Sequence, residues 1–371
     1  MTPSPDSAPR RLPKRLEVII RGLGRAVRTA VSNRQFTPQA IGLAYHLLHH
    51  ELYSREEIQR LSLLNLTDKA RAKLLSRRSM TALMERLNPE PWRCLLRNKA
   101  LFYQHCTTLQ LPTPKLLALI LPGRTGWIPK GNAPGSPSQW TRFLGSECPA
   151  ELAVKPISGN YGSGIRILTR TDNGHFHQLG DEPITCDNLA EHLFHDPNHP
   201  GYILQERIYN HPDLLALSQA QGLQCVRLIV MTDPQGQSHI LHAHLKIIVG
   251  DNPHDNFQFG NSGNLLARVD VTTGSLSSAL NRNPSGPGYI ELTHHPGTRQ
   301  QITGLNLPHW PATCRLVRKA SQLLQPLRVI GWDVAITPNG PVIIEGNWNS
   351  DPPNPFRNLD TFCDDIRRLE S

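Results

Sequence analysis

Apolar positions along the chain follow a helical rhythm up to about residue 107 and a strand-rich one beyond residue 150. Leu16, Ile19, Ile20, Leu23, Val27 and Val31 recur at helical spacing, with Arg21, Arg25 and Arg28 on another face. This predicts a basic amphipathic helix over 15–31 whose apolar stripe packs on the helices that follow, cationic outer faces being ordinary on helices. Thr37-Pro38 reads as an N-cap followed by proline at the first helical position. Ser54-x-x-Glu57 reads as a capping box. Two or three further helices run to about residue 107. Residues 1–13, rich in Pro, Ser and Arg, predict a disordered tail.

An apolar run at 116–121 reads as a strand, and the Gly/Pro-rich stretch 122–137 as a boundary or mobile connection. Strands are expected at 151–156, 165–169, 202–206, 225–232, 239–249, 265–271, 328–336 and 341–346. Helices are expected at 187–194, 212–220, 312–324 and 359–369. The fold class is therefore α+β with largely antiparallel sheet, behind a mainly helical N-terminal region.

A chain of 371 residues suits two or three lobes. Its charge is uneven: residues 1–100 hold 19 Lys and Arg against 8 Asp and Glu, so the positive balance lies in the N-terminal quarter. No apolar run approaches the length of a membrane span. No secretory signal is evident, and the seven scattered cysteines lack metal-site spacing. These features predict a cytoplasmic protein. The basic helix adds peripheral contact at the inner face of the membrane as one alternative to packing. Nucleic acid is not expected as a partner, because no aromatic stacking platform accompanies the charge.

The densest chemistry lies in Gly331-Trp332-Asp333 through Glu345-Gly346-Asn347, two apolar strands joined at Pro338-Asn339-Gly340. Glu345 and Asn347 are two apart and share a face, and folding the turn sets Asp333 opposite them. Two carboxylates and an amide on an apolar hairpin suit Mg²⁺ (or Mn²⁺), which takes its remaining ligands from water and phosphate. The alternative is a surface hairpin with ordinary polar residues.

A second signal is a strand delivering Lys155 into a loop with Ser158, Gly159, Gly162, Ser163 and Gly164. Glycines let backbone N–H groups turn toward a phosphate, and the lysine adds a point charge. The order differs from both Walker A and the protein-kinase arrangement. The strand 202–208 ends in Gln205-Glu206 and could present backbone and an acidic group to adenine or ribose. Arg227 and Lys246 each sit alone in an apolar strand, where either a structural carboxylate or a ligand anion must satisfy them. His242 and His244 would share a strand face, but no third ligand lies at a zinc-site spacing. His254, His294 and His295 are candidate acceptor-site residues.

In this order, Lys99, Lys155 with its glycine loop, Gln205-Glu206, Arg227, Asp333 and Glu345-x-Asn347 resemble the ATP-grasp superfamily. His211-Pro212-Asp213-Leu214, Val269-Asp270 with Thr273-Gly274, and Ile330 to Asn347 resemble more narrowly its sugar-transfer-associated group, related to alpha-L-glutamate ligase-like proteins. The resemblance implies an ATP-grasp fold at 108–371, with a lid at about 145–204 and a metal-binding core at about 205–350, after a basic helical region at 14–107. It implies that Lys99 and Lys155 contact the phosphates and that Ser158 to Gly164 cover them. Gln205, Glu206 and Ile208 would hold adenine, and Asp213 or a neighbour the ribose. Asp333, Glu345 and Asn347 would hold Mg²⁺, and Arg227 and Lys246 would be catalytic, stabilising the transferred phosphoryl group. Segments 255–264 and 348–353 depart from the group's pattern where an acceptor would sit.

The activity so implied is an ATP- and Mg²⁺-dependent ligation of a small-molecule carboxylate to an amine through an acyl phosphate, in polysaccharide or cell-envelope biosynthesis. The alternatives are a kinase acting on a hydroxyl with the same clasp, and a non-catalytic ATP-binding module.

Overall fold

The computed structural model describes residues 14–159, 162, 164–172, 174–356 and 362–370. The tail expected at 1–13 and Ser163 of the glycine loop lie outside the described residues.

The N-terminal region is helical: α1 (Lys14–Ser32), α2 (Pro38–His49), α3 (Arg55–Arg60), α4 (Asp68–Arg71), α5 (Arg77–Leu87), α6 (Glu90–Arg97) and α7 (Lys99–Thr108). Both start signals form as read. Thr37 caps α2 by accepting from the Ala40 N–H, and Ser54 and Glu57 close a reciprocal capping box on α3. Four helices follow α3, one more than the upper expectation. α4 is a single turn, and Asn88-Pro89 and Asn98 divide the remaining stretch into short pieces.

Helix α1 departs from its expectation. Its small residues Gly22, Ala26 and Ala30 are buried, and the large aliphatics Ile19, Ile20, Leu23 and Val31 are left outward. A Cβ at Gly22 would stand 3.1 Å from both Tyr45 and His49 of α2, so close approach of the two helices selects the small face.

Next in the chain come β1 (Leu116–Leu121), β2 (Arg124–Trp127), α8 (Pro137–Arg142), β3 (Glu151–Pro156), β4 (Arg166–Arg170), β5 (His175–Gln178), β6 (Ile184–Thr185), α9 (Cys186–His195) and β7 (Tyr202–Glu206). They form one antiparallel sheet in the order β2-β1-β7-β3-β4-β5-β6. The stretch expected to be a boundary at 122–137 thus holds a strand paired to β1. Trp140, Phe143, Leu144, Phe176 and Leu189 fill the core between this sheet and its two helices.

A second antiparallel sheet follows, in the order β12-β11-β10-β9-β8-β13-β14. Its strands are β8 (Cys225–Thr232), β9 (Ser238–Ile247), β10 (Leu265–Val269), β11 (Leu276–Arg282), β12 (Tyr289–Leu292), β13 (Val329–Thr337) and β14 (Gly340–Asn347). The helices of this part are α10 (Pro212–Ser218), α11 (Trp310–Leu323) and α12 (Phe362–Glu370). The chain therefore folds into two α+β units behind a helical region.

The faces of the second sheet differ. Leu228, Val230, Trp332 and Val334 pack with Val317 and Ala320 of α11. Ile229, Met231 and Val329 point the other way, into a core with Leu47, Ile58, Met80 and Met84 of the N-terminal helices. The helical region thereby covers part of the same sheet face that carries the polar residues described next.

Candidate active site

The hairpin β13–β14 forms in the anticipated register, with Asp333 opposite Glu345 and Gly331 opposite Asn347. The pairing shifts between Asp333 and Val334, which next faces Ile343, so Ile344 occupies a β-bulge. Asp333 also faces Arg227 of β8, and Arg227 faces His244 of β9. One polar row therefore crosses four strands.

Both mid-strand cations are satisfied by carboxylates. Arg227 donates from Nε and Nη2 to the two oxygens of Asp333, at 2.7 and 2.8 Å. Lys246 Nζ lies 3.0 Å from Asp255 and 3.4 Å from Asp333. Burial alone would raise the Asp333 carboxyl, but the charges of Arg227 and Lys246 override it and hold that group well below the usual carboxylate range. Asp255, the second partner of Lys246, was not singled out in the sequence as a site residue. It also accepts the Cys225 N–H at 2.8 Å, which fixes it under the sheet end.

The glycine loop meets this row from the first sheet. Lys155 leaves β3 buried, and burial pushes its ammonium down to about 8, with the Glu345 charge opposing that shift. Its Nζ donates to the Tyr103 hydroxyl at 3.5 Å, and Tyr103 in turn donates to the carbonyl of the bulge residue Ile344. Tyr103 of α7 thus bridges the two sheets. Lys99, at the first turn of α7, is tied to the loop twice: its N–H donates to Ile157 O at 2.8 Å and its Nζ to Gly159 O at 3.3 Å. The same Nζ stands 3.3 Å from Glu345, whose side chain is one-third exposed. Gly162 and Gly164 both take positive φ, and a Cβ on Gly162 would come within 3.0 Å of Asn256. Gly162 consequently lies against His254 and Asn256 of the second unit.

Two cavities meet at Gly162, Lys246, Asn256, Asp333 and Glu345. The smaller, about 120 Å³, is walled by Ala153, Ile165, Ile167, Leu223 and Ile344, with Lys155 and Glu206 at its edge. The larger, about 900 Å³, holds Lys99, Ser158, Gly159, Arg227 and Asn347. Its far wall was not legible in the sequence: Glu57, Arg77, Thr81 and Arg97 reach it from the N-terminal helices. The segments 255–264 and 348–353, marked as possible acceptor-facing departures, both border it through Asn256, Phe259, Trp348 and Asp351. Arg77 pairs with Asp351 at 2.6 Å and lies over the Phe259 ring. Arg93 and Arg97 lie 4.9 and 4.5 Å from the Trp348 ring.

The remaining sequence candidates divide between the cleft and positions away from it. Gln205 is fully buried, donates weakly to Pro114 O at 3.4 Å and borders neither cavity, whereas Glu206 and Ile208 line the smaller one. The reason is strand alternation across β7 combined with its central place between β1 and β3. Asp213 is exposed on α10 beside His211 and borders neither cavity. His254 lines the smaller cavity. His294 is exposed, and His295 is buried against Ile248 O, so neither faces the cleft. His242 and His244 do share a face, 3.1 Å apart, with burial depressing His242 to about 3. Among the described residues no three His, Cys, Asp or Glu side chains gather as a metal site.

The oxygen donors that remain suit a hard cation carried in with phosphate. Asn347 donates its amide N–H to Gly331 O at 3.2 Å, which leaves the amide oxygen as the available acceptor beside Glu345. Asp333 is shared with two cations, so Glu345 and Asn347 carry the more accessible side-chain oxygens of the hairpin.

The family model described as sugar-transfer associated ATP-grasp matches residues 78–355. Similar solved structures include an L-amino acid ligase from Bacillus licheniformis, with 12% identity over 69% of this chain and 41% of that one, TM-score 0.37. A biotin carboxylase from Campylobacter jejuni matches at 10% identity over 75% and 46%, TM-score 0.42. A D-alanine–D-alanine ligase from Bacillus anthracis matches at 11% over 74% and 67%, TM-score 0.39. The chain spans less than half of the first two structures. No curated protein matches it.

Proposed function

The chain belongs to the sugar-transfer-associated ATP-grasp family, and from that premise we propose that it is an ATP-dependent ligase joining a small-molecule carboxylate to an amine. The observation that carries this reading is the convergence of Lys155 and Lys99 from one side and Glu345 from the other where the two cavities meet.

The smaller cavity, whose aliphatic wall of Ala153, Ile165, Ile167, Leu223 and Ile344 is edged by Glu206, suits the adenine of ATP, which leaves Lys155 and Lys99 to neutralise the phosphates. The glycine loop then lies over them. Mg²⁺, held by Glu345, Asn347 and Asp333, would supply charge neutralisation at the phosphate oxygens when bound. The larger cavity has room for both the carboxylate and the amine beside the γ-phosphate. A carboxylate oxygen attacks the γ-phosphorus and ADP leaves. The amine nitrogen then attacks the acyl carbon, phosphate leaves, and the nitrogen loses a proton. Arg227 and Lys246 stand at the site of the transferring oxygens, already fixed by Asp333 and Asp255, so they stabilise that charge without rearranging. No side-chain nucleophile is required.

Glu345→Gln tests the reading. It removes one exposed charge, so the fold should persist while Mg²⁺-dependent ATP turnover falls at least about 100-fold. Turnover near the wild-type rate would sink the assignment. In a screen of amino acids and amino sugars, an amide product with free phosphate supports ligation, and a phosphorylated acceptor would replace it with a kinase.

A further inference from the structure

Helix α1 carries a face that none of the described residues covers. Ile19, Ile20, Leu23 and Val31 are each 50–53% exposed, and Val27 is exposed beside them. At roughly 100° per residue, Ile20, Leu23, Val27 and Val31 form one stripe, and Arg21 and Arg28 flank it on one side. Arg21, Arg25 and Arg28 are all exposed, against the single acid Glu17 in the described part of the helix. The inward face is small and already docked on α2. Large aliphatics are therefore outward because the helix binds its own protein through glycine and alanine.

We propose that α1 lies on an anionic phospholipid bilayer, with Ile20, Leu23, Val27 and Val31 in the headgroup boundary and the flanking Arg21 and Arg28 meeting lipid phosphates. The pairing of an aliphatic stripe with a flank of arginines is what an interfacial helix needs, since apolar burial and anion attraction act together there. A second copy suits the face less well, because apposed stripes would also bring arginine flanks together. No helix among the described residues is long and apolar enough to cross a membrane, so contact at the surface is the mode available to α1. Gln59 of α3 donates to Ser32 O at the end of α1, which links this face to the helices that wall the larger cavity.

The test is sedimentation of the full-length chain with vesicles of phosphatidylcholine alone or with about 30% phosphatidylglycerol. Uptake should be at least about tenfold greater on the anionic vesicles and should decline with salt. Leu23→Ser/Val27→Ser and Arg21→Gln/Arg28→Gln should each lower it about tenfold, with circular dichroism and thermal midpoint unchanged because these side chains are exposed. The proposal is overturned by an absence of uptake on either vesicle, or by uptake indifferent to both sets of changes. Concentration-dependent dimerisation abolished by Leu23→Ser/Val27→Ser without vesicle uptake would assign the face to a second copy instead. Binding to duplex nucleic acid that outcompetes the vesicles and ignores the serine changes would also overturn it. None of these readouts depends on ATP turnover, so their failure is separable from that of the ligase reading.

Discussion

Arg227 and Asp333 face each other on neighbouring strands and close a two-point ion pair at 2.7 and 2.8 Å, inside a sheet whose other face is wholly apolar around them. Asp333 serves two ends at once. It neutralises Arg227 and part of Lys246, and it stands opposite Glu345 of β14.

Asp333→Asn should consequently damage both stability and turnover, unlike Glu345→Gln. Removing the charge leaves Lys246 with Asp255 alone and Arg227 without its two-point partner, a change expected to cost about 3 kcal/mol by comparison with broken buried pairs. The one-third exposed Glu345 should lose less than about 1 kcal/mol. Chemical denaturation of the two variants checks the contrast, and equal stabilities would contradict it.

If Lys155 contacts the phosphates as proposed, ATP binding should depend on pH. Burial holds its ammonium at about 8 in the free protein against 10.5 ordinarily, so the fold binds fewer protons than the unfolded chain between those values. Stability attributable to this group therefore rises with pH across that window and is lowest below pH 8. Lys155→Met should be the more stable protein below pH 8, by an amount on the order of 3 kcal/mol, with the gap closing toward pH 10.5. ATP affinity of the wild type should weaken as pH rises through 8, and that dependence should vanish in Lys155→Met. Denaturation and calorimetric titration across pH 7–10 provide the check.

Gly331 is required by the segment after the hairpin. A Cβ there would stand 1.7 Å from Ser350 Oγ, a backbone-adjacent group with little freedom to move. Gly331→Ala should cost about 1–3 kcal/mol through overpacking, and Ser350→Gly in the same chain should recover a large part of it. Additive losses in that double-mutant cycle would refute the contact.

Arg77 reports on the N-terminal wall. It reaches the larger cavity from α5 and is held by Asp351 and Phe259, far from the smaller cavity. Arg77→Met should raise the acceptor KM about tenfold while leaving the ATP KM within about twofold. A change in ATP KM alone would place the acceptor elsewhere.

The hairpin, the strand-borne Lys155 with its glycines, and both helix caps were legible without coordinates. Each depends on residues a few positions apart, where strand alternation, turn chemistry and cap geometry set the outcome locally. The same locality explains the misses. Gln205 looked like a partner of Glu206, but its side of β7 is closed by its neighbours, and Asp213 sits on a helix that turns away from the cleft.

By itself the chain specified an α+β fold, a strand-borne lysine with its glycine loop and a row of side-chain oxygens on one hairpin, because those are encoded in periodicity and in short-range spacing. Only the tertiary structure decided what completes them. Asp255 meets Lys246, Tyr103 joins Lys155 to Ile344, and Arg77 and Glu57 wall the larger cavity. It also decided which face of α1 is buried, since close packing on α2 admits glycine and alanine and leaves the larger side chains outside. Such choices depend on steric fit and charge compensation between segments distant in sequence, which no local pattern records.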